Sequence, residues 1–596
     1  MSLLDGFLSL SRNINKTTGR EEDETTEGII SEPKSELTLD VADEELIRLK
    51  NEWQKRWDES QSSKELDRKQ KENEKYWLGD HHTSAQKQTG KRELVDNLIF
   101  EAVETGIPFY TRQTAEPFTK SDETPEGQLL ARKVNDRLVD LADVLRLRLK
   151  VRKAVRHWTL FYLGCIKLGW SVQHNEIAVQ VVRPQMLILD PDAITDECEY
   201  EGEYLGQYRS DTASDLAERF PEKKEFIAKK VNQKMGTKLR YVEWWHVDYL
   251  FWTMDDVVLG KSRNPHWNYE VTEDQSTTDD YGNVTNNPVT TPGLNHFAQR
   301  KIPFAFLSIF NLGKQPFDDT SLVEQSLPQQ DLINKRQRQI DKNADTMNGG
   351  AIVSGDAFTK EQAKQVSDAL KRGAAVYVPR GNVNTAYKRD QGVPLPAFIY
   401  EALVDGRNEL RNLFGTTGLS AQGIQKTENV RGKILVRQTD TDRASGIVDH
   451  IEQLYDYIYN WKVQLMVVYY DEPRNVNRTQ GSVTLVATEF TNPLVVSVKE
   501  GSLIPKDRLT QRNEAIDLWN AKAIDPIEFY KRLDFPNPYQ SARALYLWLS
   551  NPAALFPDIA PVVPPTTTEG GGASPPGAPS EEEVASGNLL DQVPIQ

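Results

Sequence analysis

One stretch of this chain sets apolar residues at long, regular intervals among residues that are otherwise polar, and a second helix returns after it. Between 322 and 348 (LVEQSLPQQDLINKRQRQIDKNADTMN) Leu327, Ile333, Ile340 and Met347 recur about once every two helical turns. So narrow a seam predicts a helix that needs a sideways neighbour, because it cannot build a globular core alone. From 397 to 415 a second helix, restarted behind Pro394 and Pro396, places Ile399, Leu403, Leu410 and Leu413 on one side. Between the two lie a short strand (Ala351, Ile352, Val353, Ser354), a helix over 359–372 and a second strand over 374–379 (AAVYVP). A strand–helix–strand module inserted between thin-seamed helices suggests a stalk that packs against copies of itself.

The same reading extends along the rest of the chain. Residues 1–40 are polar and acidic (Glu21, Glu22, Asp23, Glu24) and predict a flexible arm. From 41 a helical stripe carries Ala42, Leu46, Leu49, Trp53 and Trp57, and the charge-dense KELDRKQKENEK behind it reads as a solvated face. A second helical tract covers 93–105, and a third begins behind Ser121 and Pro125 with Leu130, Val134, Leu138, Leu141 and Leu145. Strands follow. Ile166, Leu168, Trp170 and Val172 alternate, turn at His174, Asn175 and Glu176, and return as Ile177, Val179 and Val181. Beyond MLILDPDA come polar helices over 213–234 and an aromatic strand over 241–252 (YVEWWHVDYLFW). A long surface excursion spans 262–295, and an apolar strand spans 304–310.

After the second seamed helix, 416–431 (TTGLSAQGIQKTENVR) predicts a loop, and the most regular helix of the chain follows. It sets Ile447, Ile451, Leu454, Ile458, Trp461, Leu465 and Val468 at four-three spacing, with Gly446 as the expected kink. Strands at 482–487 and 494–498 and helices at 508–520, 526–533 and 539–549 lead into a Pro-, Thr- and Gly-rich tail from 557 that predicts disorder. The fold class is α+β, mainly α-helical.

Composition narrows the function. The chain has 596 residues and a formal net charge of -16, which excludes a simple basic clamp for nucleic acid. Cys165 and Cys198 are its only cysteines, so there is neither a disulfide framework nor a Cys-based zinc site. No apolar run is long enough to span a membrane. The densest basic cluster (Arg146, Arg148, Lys150, Arg152, Lys153, Arg156) is either a nucleic-acid contact or a helix whose charges pair with acidic neighbours, and the second needs fewer assumptions. Gly260-Lys261-Ser262 resembles the end of a phosphate-binding loop, but Asp255 stands where the loop needs its first glycine. His81 and His82 lack a third ligand, and Asp190-Pro191-Asp192 reads as a Pro-fixed turn, with ion binding left open at both. No hydrolase elbow, zinc-protease helix or two-metal acidic cluster is present, so no catalytic residue, cofactor or metal is assigned and the chain is expected not to be an enzyme.

The order of elements resembles the portal proteins of tailed double-stranded DNA bacteriophages. The resemblance is carried by the hairpin leading into MLILDPDA, the helix from Leu322, the insert over 351–379 and the returning helix from Ala397. TTGLSAQGIQKTENVRG and the long helix KILVRQTDTDRASGIVDHIEQLYDY add to it. It implies a homo-oligomeric ring of about twelve subunits at one capsid vertex. Double-stranded DNA would pass through it without sequence specificity during packaging and ejection. On this resemblance 41–317 is the wing, 318–348 and 397–415 the stem, 349–396 the clip and 416–432 the tunnel loop. Residues 433–503 form the long kinked helix and further wing strands, and 504–556 the crown. The arm 1–40 and the tail 557–596 receive no role.

The implied partners are the terminase packaging motor, tail adaptors, and major capsid and scaffolding proteins. The implied location is the virion, after assembly in the host cytoplasm and with no membrane association. The tunnel-loop residues expected to face DNA are Ser420, Gln422, Gln425, Lys426, Asn429, Arg431 and Lys433. The stem contacts between subunits are Ile333, Ile340, Met347, Leu403 and Leu410, and the clip docking residues are Lys360, Lys364, Asp368 and Lys371. Two other readings stay open: an oligomeric coiled-coil scaffold built on the Ile447 to Val468 seam, and a DNA-processing enzyme.

Overall fold

Strand Gly164–Ser171 is buried at every position, and the rest of the larger unit is arranged on its two faces. The computed structural model describes residues 39–550 apart from 83–93, 113, 121–123, 197, 270, 279–283, 292, 312–316, 348–350, 372–376, 379–381, 383–386, 390–394, 416–429, 477–482, 492–493, 499–507, 534 and 536–537. The chain divides into two units, Met1–Pro505 and Lys506–Gln596.

In the first unit Gly164–Ser171 is the middle of a three-stranded antiparallel sheet, flanked by Glu176–Val182 and Phe304–Leu307. Alternation sends Ile166, Leu168 and Trp170 to one core and Cys165 to another. A strand buried on both faces is commonly apolar throughout, but this one keeps Lys167, Gly169 and Ser171 between its large apolar residues and buries them too. Gly164 is required here, since a Cβ would stand 2.6 Å from the Ala154 carbonyl oxygen.

On the Cys165 side lies a five-stranded antiparallel sheet, ordered Val257–Arg263, Tyr249–Met254, Lys238–Trp245, Leu205–Thr212, Leu187–Leu189. The expected single aromatic strand over 241–252 is therefore two strands of a hairpin, turned at 246–248, with Trp244 opposite Phe251 and Trp245 opposite Leu250. The turn, His246-Val247-Asp248, carries no Gly, Pro or Asn, and the aromatic residues on both sides of it read as one strand. The first helix, Asp43–Ser63, lays Leu46, Trp53 and Trp57 into this core, and Trp53 stacks on Tyr204 with ring centroids 4.7 Å apart. The expected excursion over 262–295 holds a second hairpin, Val271–Thr278 paired with Val284–Thr291 over eight positions.

On the other side the helices Leu98–Tyr110, Pro125–Val144 and Leu147–Phe161 share a core with the 40-residue helix Val430–Tyr469. The helical tract expected at 93–105 starts later, at Leu98, because Asn97 caps it by accepting from the Phe100 N–H at 3.1 Å. In the long helix all seven seam residues from Ile447 to Val468 are buried, and so are Val448, Tyr455, Tyr459, Val463 and Met466. What looked like a seam is a helix enclosed on nearly all sides by its own chain over this half, and the helix continues through Gly446.

The two thin-seamed helices are present as Leu322–Met347 and Ala397–Leu413, and they pack on one another. In the insert between them Ala351–Val353 pairs with Tyr387–Arg389, and Lys360–Lys371 is helical. The second strand was expected at 374–379; of those residues Tyr377 and Val378 are described, and neither is in a strand. The second unit contains helices Arg508–Asn520, Pro526–Arg532 and Pro538–Ser550, with Trp519 stacked on Phe529 at 4.8 Å. Among the described residues no helix is long and apolar enough to cross a membrane.

Candidate functional site

The residues expected to face DNA fall largely on undescribed chain. Ser420, Gln422, Gln425, Lys426 and Asn429 lie outside the described residues. Arg431 and Lys433 lie in the first turns of Val430–Tyr469 rather than in a loop. In the inserted module Lys360, Lys364 and Asp368 are exposed on a helix that buries Val366; Ala357 and Phe358, just before that helix, are buried too, and Lys371 ends the helix. A short polar helix anchored by one apolar face leaves its other side to solvent.

The expected subunit contacts divide differently. Ile333, Leu403 and Leu410 are 1%, 2% and 0% exposed, covered by their own chain. Ile340 is partly buried against the same core, and Met347 closes the helix Leu322–Met347. Ile333, Leu403 and Leu410 therefore hold the two rod helices to each other and to the body, and they are not available to a neighbouring copy. Leu413 is exposed, and Phe414 takes its place in the core.

Where the rod helices meet the body, a polar network accompanies the apolar contact. Gln330 Oε1 accepts from the backbone N–H groups of Leu98 (3.1 Å) and Ile99 (3.2 Å), the free amides at the start of helix Leu98–Tyr110. Its Nε2 donates to the Asp96 carbonyl at 2.6 Å. One turn on, Asn334 Oδ1 accepts from the Asp96 N–H at 3.1 Å, which orients the amide and leaves its Nδ2 to donate to His81 Nδ1 at 2.8 Å. By the logic of that network His81 carries its proton on Nε2, which donates to the Tyr76 carbonyl at 2.8 Å. Burial pushes the His81 imidazole below its ordinary range, in keeping with a neutral ring. From the return helix Arg407 grips Asp96 Oδ2 through Nε (2.9 Å) and a terminal nitrogen (2.6 Å), and Arg411 pairs with Glu101 at 3.0 Å.

Sequence reasoning passed over Gln330, Asn334, Asp96 and Arg407, because a polar residue on a polar rod carries no contrast. A signal was present in the spacing: Val323, Ser326, Gln330, Ile333, Gln337 and Ile340 follow a three-four repeat, and the first four are buried. The true seam includes a serine and a glutamine.

A second polar cluster lies between the two sheets of the body. Lys167 Nζ donates to Gln207 Oε1 (3.1 Å) and Glu243 Oε1 (2.5 Å), while Arg209 donates to Glu243 Oε2 (2.8 Å), and Lys167, Arg209 and Glu243 are all at most 3% exposed. Burial alone would raise the Glu243 carboxyl, but the two cations outweigh it and hold it well below the usual range. Burial lowers Lys167 to about 8 against the pull of Glu243. In the long helix Lys462 is wholly buried, and burial lowers its amine to about 7.

The remaining sequence candidates are spent on structure. Arg156 pairs with Glu104 at 2.6 Å, Arg148 donates to the Arg112 carbonyl at 3.1 Å, Lys150 to the Val179 carbonyl, and Arg152 to the Thr111 hydroxyl at 3.1 Å. Arg156 thus uses a carboxylate, and Arg148, Lys150 and Arg152 donate to backbone and hydroxyl oxygens. Arg56 bridges Asp190 and Asp192 at 2.9 Å each, which accounts for the acidic turn. Lys261 is held by the Val41 carbonyl (2.6 Å) and Asp43 (2.8 Å). Among the described residues no three His, Cys, Asp or Glu side chains come together as a metal site. No protein-family model matches the chain, and no curated protein matches it.

Proposed function

We propose that the chain is a portal subunit of a tailed bacteriophage, forming a ring at one capsid vertex through which DNA is packaged and ejected. The observation that carries this reading is the pair of mutually packed helices, the mainly polar Leu322–Met347 and the amphipathic Ala397–Leu413, rooted in an α+β body and interrupted by a small strand–helix module. The 40-residue helix that follows 416–429 adds to it. In this reading the body is the wing, the helix pair the stem, the module the clip and the second unit the crown. Residues 416–432 are then the tunnel loop, and its Arg431, with Lys433 beyond it, lies in the first turns of Val430–Tyr469. Short polar side chains there would touch phosphates without reading sequence, as a channel for a whole genome requires. The exposed polar face of Lys360–Lys371 is the surface offered to the packaging motor and tail adaptor.

The coiled-coil scaffold is disfavoured by one specific observation. Its seam, Ile447 to Val468, is already covered within the chain, leaving no apolar stripe there for a second helix. The test is the mass of the purified full chain together with end-on particle images. We expect closed rings of about twelve copies; a monomer or dimer across micromolar concentrations overturns the proposal.

A further inference from the structure

Because Ile333, Leu403 and Leu410 are consumed inside the chain, sideways contact between rods has to use what their surfaces still offer. On Leu322–Met347 the exposed Leu332, Lys335 and Lys342, with half-buried Arg338 between them, recur at the spacing of one helix face. On Ala397–Leu413 the exposed Phe398, Glu401, Asp405 and Glu409 do the same. Asp331 shares the first face but is held to the body, accepting from the Tyr76 hydroxyl at 2.8 Å, so one rod presents a net basic face and the other an acidic one. Among the described residues, Lys335, Lys342, Glu401, Asp405 and Glu409 form no ion pair within the chain, whereas Arg407 and Arg411 on the same return helix are paired with Asp96 and Glu101.

The two faces are also level. Gly406 lets Ile333 Cγ1 come within 3.4 Å of where a Cβ would stand, which sets the register of the antiparallel pair. At about 1.5 Å per residue, Arg338 and Glu401 each lie about 7.5 Å beyond that point, and Lys335 and Asp405 lie about 3 Å and 1.5 Å beyond it.

We propose that the acidic face of Ala397–Leu413 on one copy docks against the basic face of Leu322–Met347 on the next. The proposal rests on the ring reading above. When the symmetry axis runs along the rods, rotation preserves height, so Lys335 meets Asp405 and Arg338 meets Glu401 of the adjacent copy. Leu332 and Phe398, exposed at the edges of these faces, are covered by the same contact. Single exposed pairs are weak and salt-sensitive. Repetition at every interface makes them count, and opposite signs on the two faces reject like-to-like pairing while allowing the head-to-tail pairing that closes a ring.

The experiment uses the full chain in three forms besides the parent: Lys335→Glu with Lys342→Glu, Glu401→Lys with Asp405→Lys, and all four together. Sedimentation across protein and salt concentration reads the assembly, and circular dichroism checks that each variant folds. Each two-site reversal is expected to raise the concentration at half-assembly by about tenfold or more, corresponding to about 1.4 kcal/mol. The four-site variant is expected to return toward the parent, and parent rings are expected to loosen as salt rises. Folded reversals that assemble like a ring-forming parent, or a four-site variant no better than either reversal, overturn this contact while leaving the ring reading intact. A parent that forms no rings overturns both.

Discussion

The five-stranded sheet and the rod helices both bury polar groups, but in different company. On the sheet, Arg209 and Glu243, with Lys167 reaching across from the three-stranded sheet, are enclosed beside Trp245, Phe304 and Tyr241, so the charges are held inside an aromatic core. At the base of the rods, Gln330 and Asn334 are buried beside the core residues Leu98, Ile99 and Ile333, but they carry no charge and are matched to backbone groups of 96–99, so the hydrogen bonds set the register of an otherwise apolar contact. A sealed charge makes a region depend on keeping its partners. An amide matched to backbone groups makes a joint that accepts one register only.

The largest effect is expected in the sheet. Glu243→Ala leaves two buried cations without their shared carboxylate and should cost about 3–5 kcal/mol, measured as loss of stability in urea. A loss below about 1 kcal/mol would mean that water reaches the cluster, and the contrast with the rods would fail.

Next is a dependence on pH. Burial, reinforced by Lys153 and Arg183, lowers His157 from its ordinary value of 6.5 to about 4. The unfolded chain takes up this proton near 6.5 and the folded chain resists until about 4. Stability is therefore unaffected above 6.5 and is lost as pH falls through that window, by up to about 3 kcal/mol. Thermal unfolding between pH 7 and 4 checks this, and His157→Gln should flatten the slope. A parent slope unchanged by that substitution would assign the acid sensitivity elsewhere.

The smallest expected effect is at the rods. Gln330→Leu strands the Leu98 and Ile99 N–H groups and the Asp96 carbonyl and should cost about 2 kcal/mol. Hydrogen exchange should rise at 322–334 and at Leu98 and Ile99 while the five-stranded sheet keeps its protection. Uniform loss of protection across both regions would show that joint and sheet unfold as one, which would remove the distinction between them.

Legibility in the sequence followed the same division. The rods, the Trp53 stripe and the hairpin into Glu176–Val182 were readable because apolar and polar residues contrast along each. The hairpin at 241–252 was not, because aromatic residues crowd both sides of its His246-Val247-Asp248 turn and no Gly or Asn marks it. The polar joint was invisible for the opposite reason, since Gln330 differs from its exposed neighbour Gln325 only in what the fold sets against it.

Local pattern, by itself, determined where the two rod helices and the long helix run, since periodicity and caps act over a few residues and need no partner to be seen. It also determined that the chain carries too little apolar seam on its rods to make a core of them. Which surface each seam meets was decided by tertiary structure alone. Ile333, Leu403 and Leu410 could have faced a neighbouring copy as well as their own body, and only the fold, by placing Gly406 and helix Leu98–Tyr110 beside them, buried them within the subunit. The physical reason is that burial of an apolar group is non-directional: it fixes that a partner exists and leaves which partner to shape and to hydrogen-bond geometry.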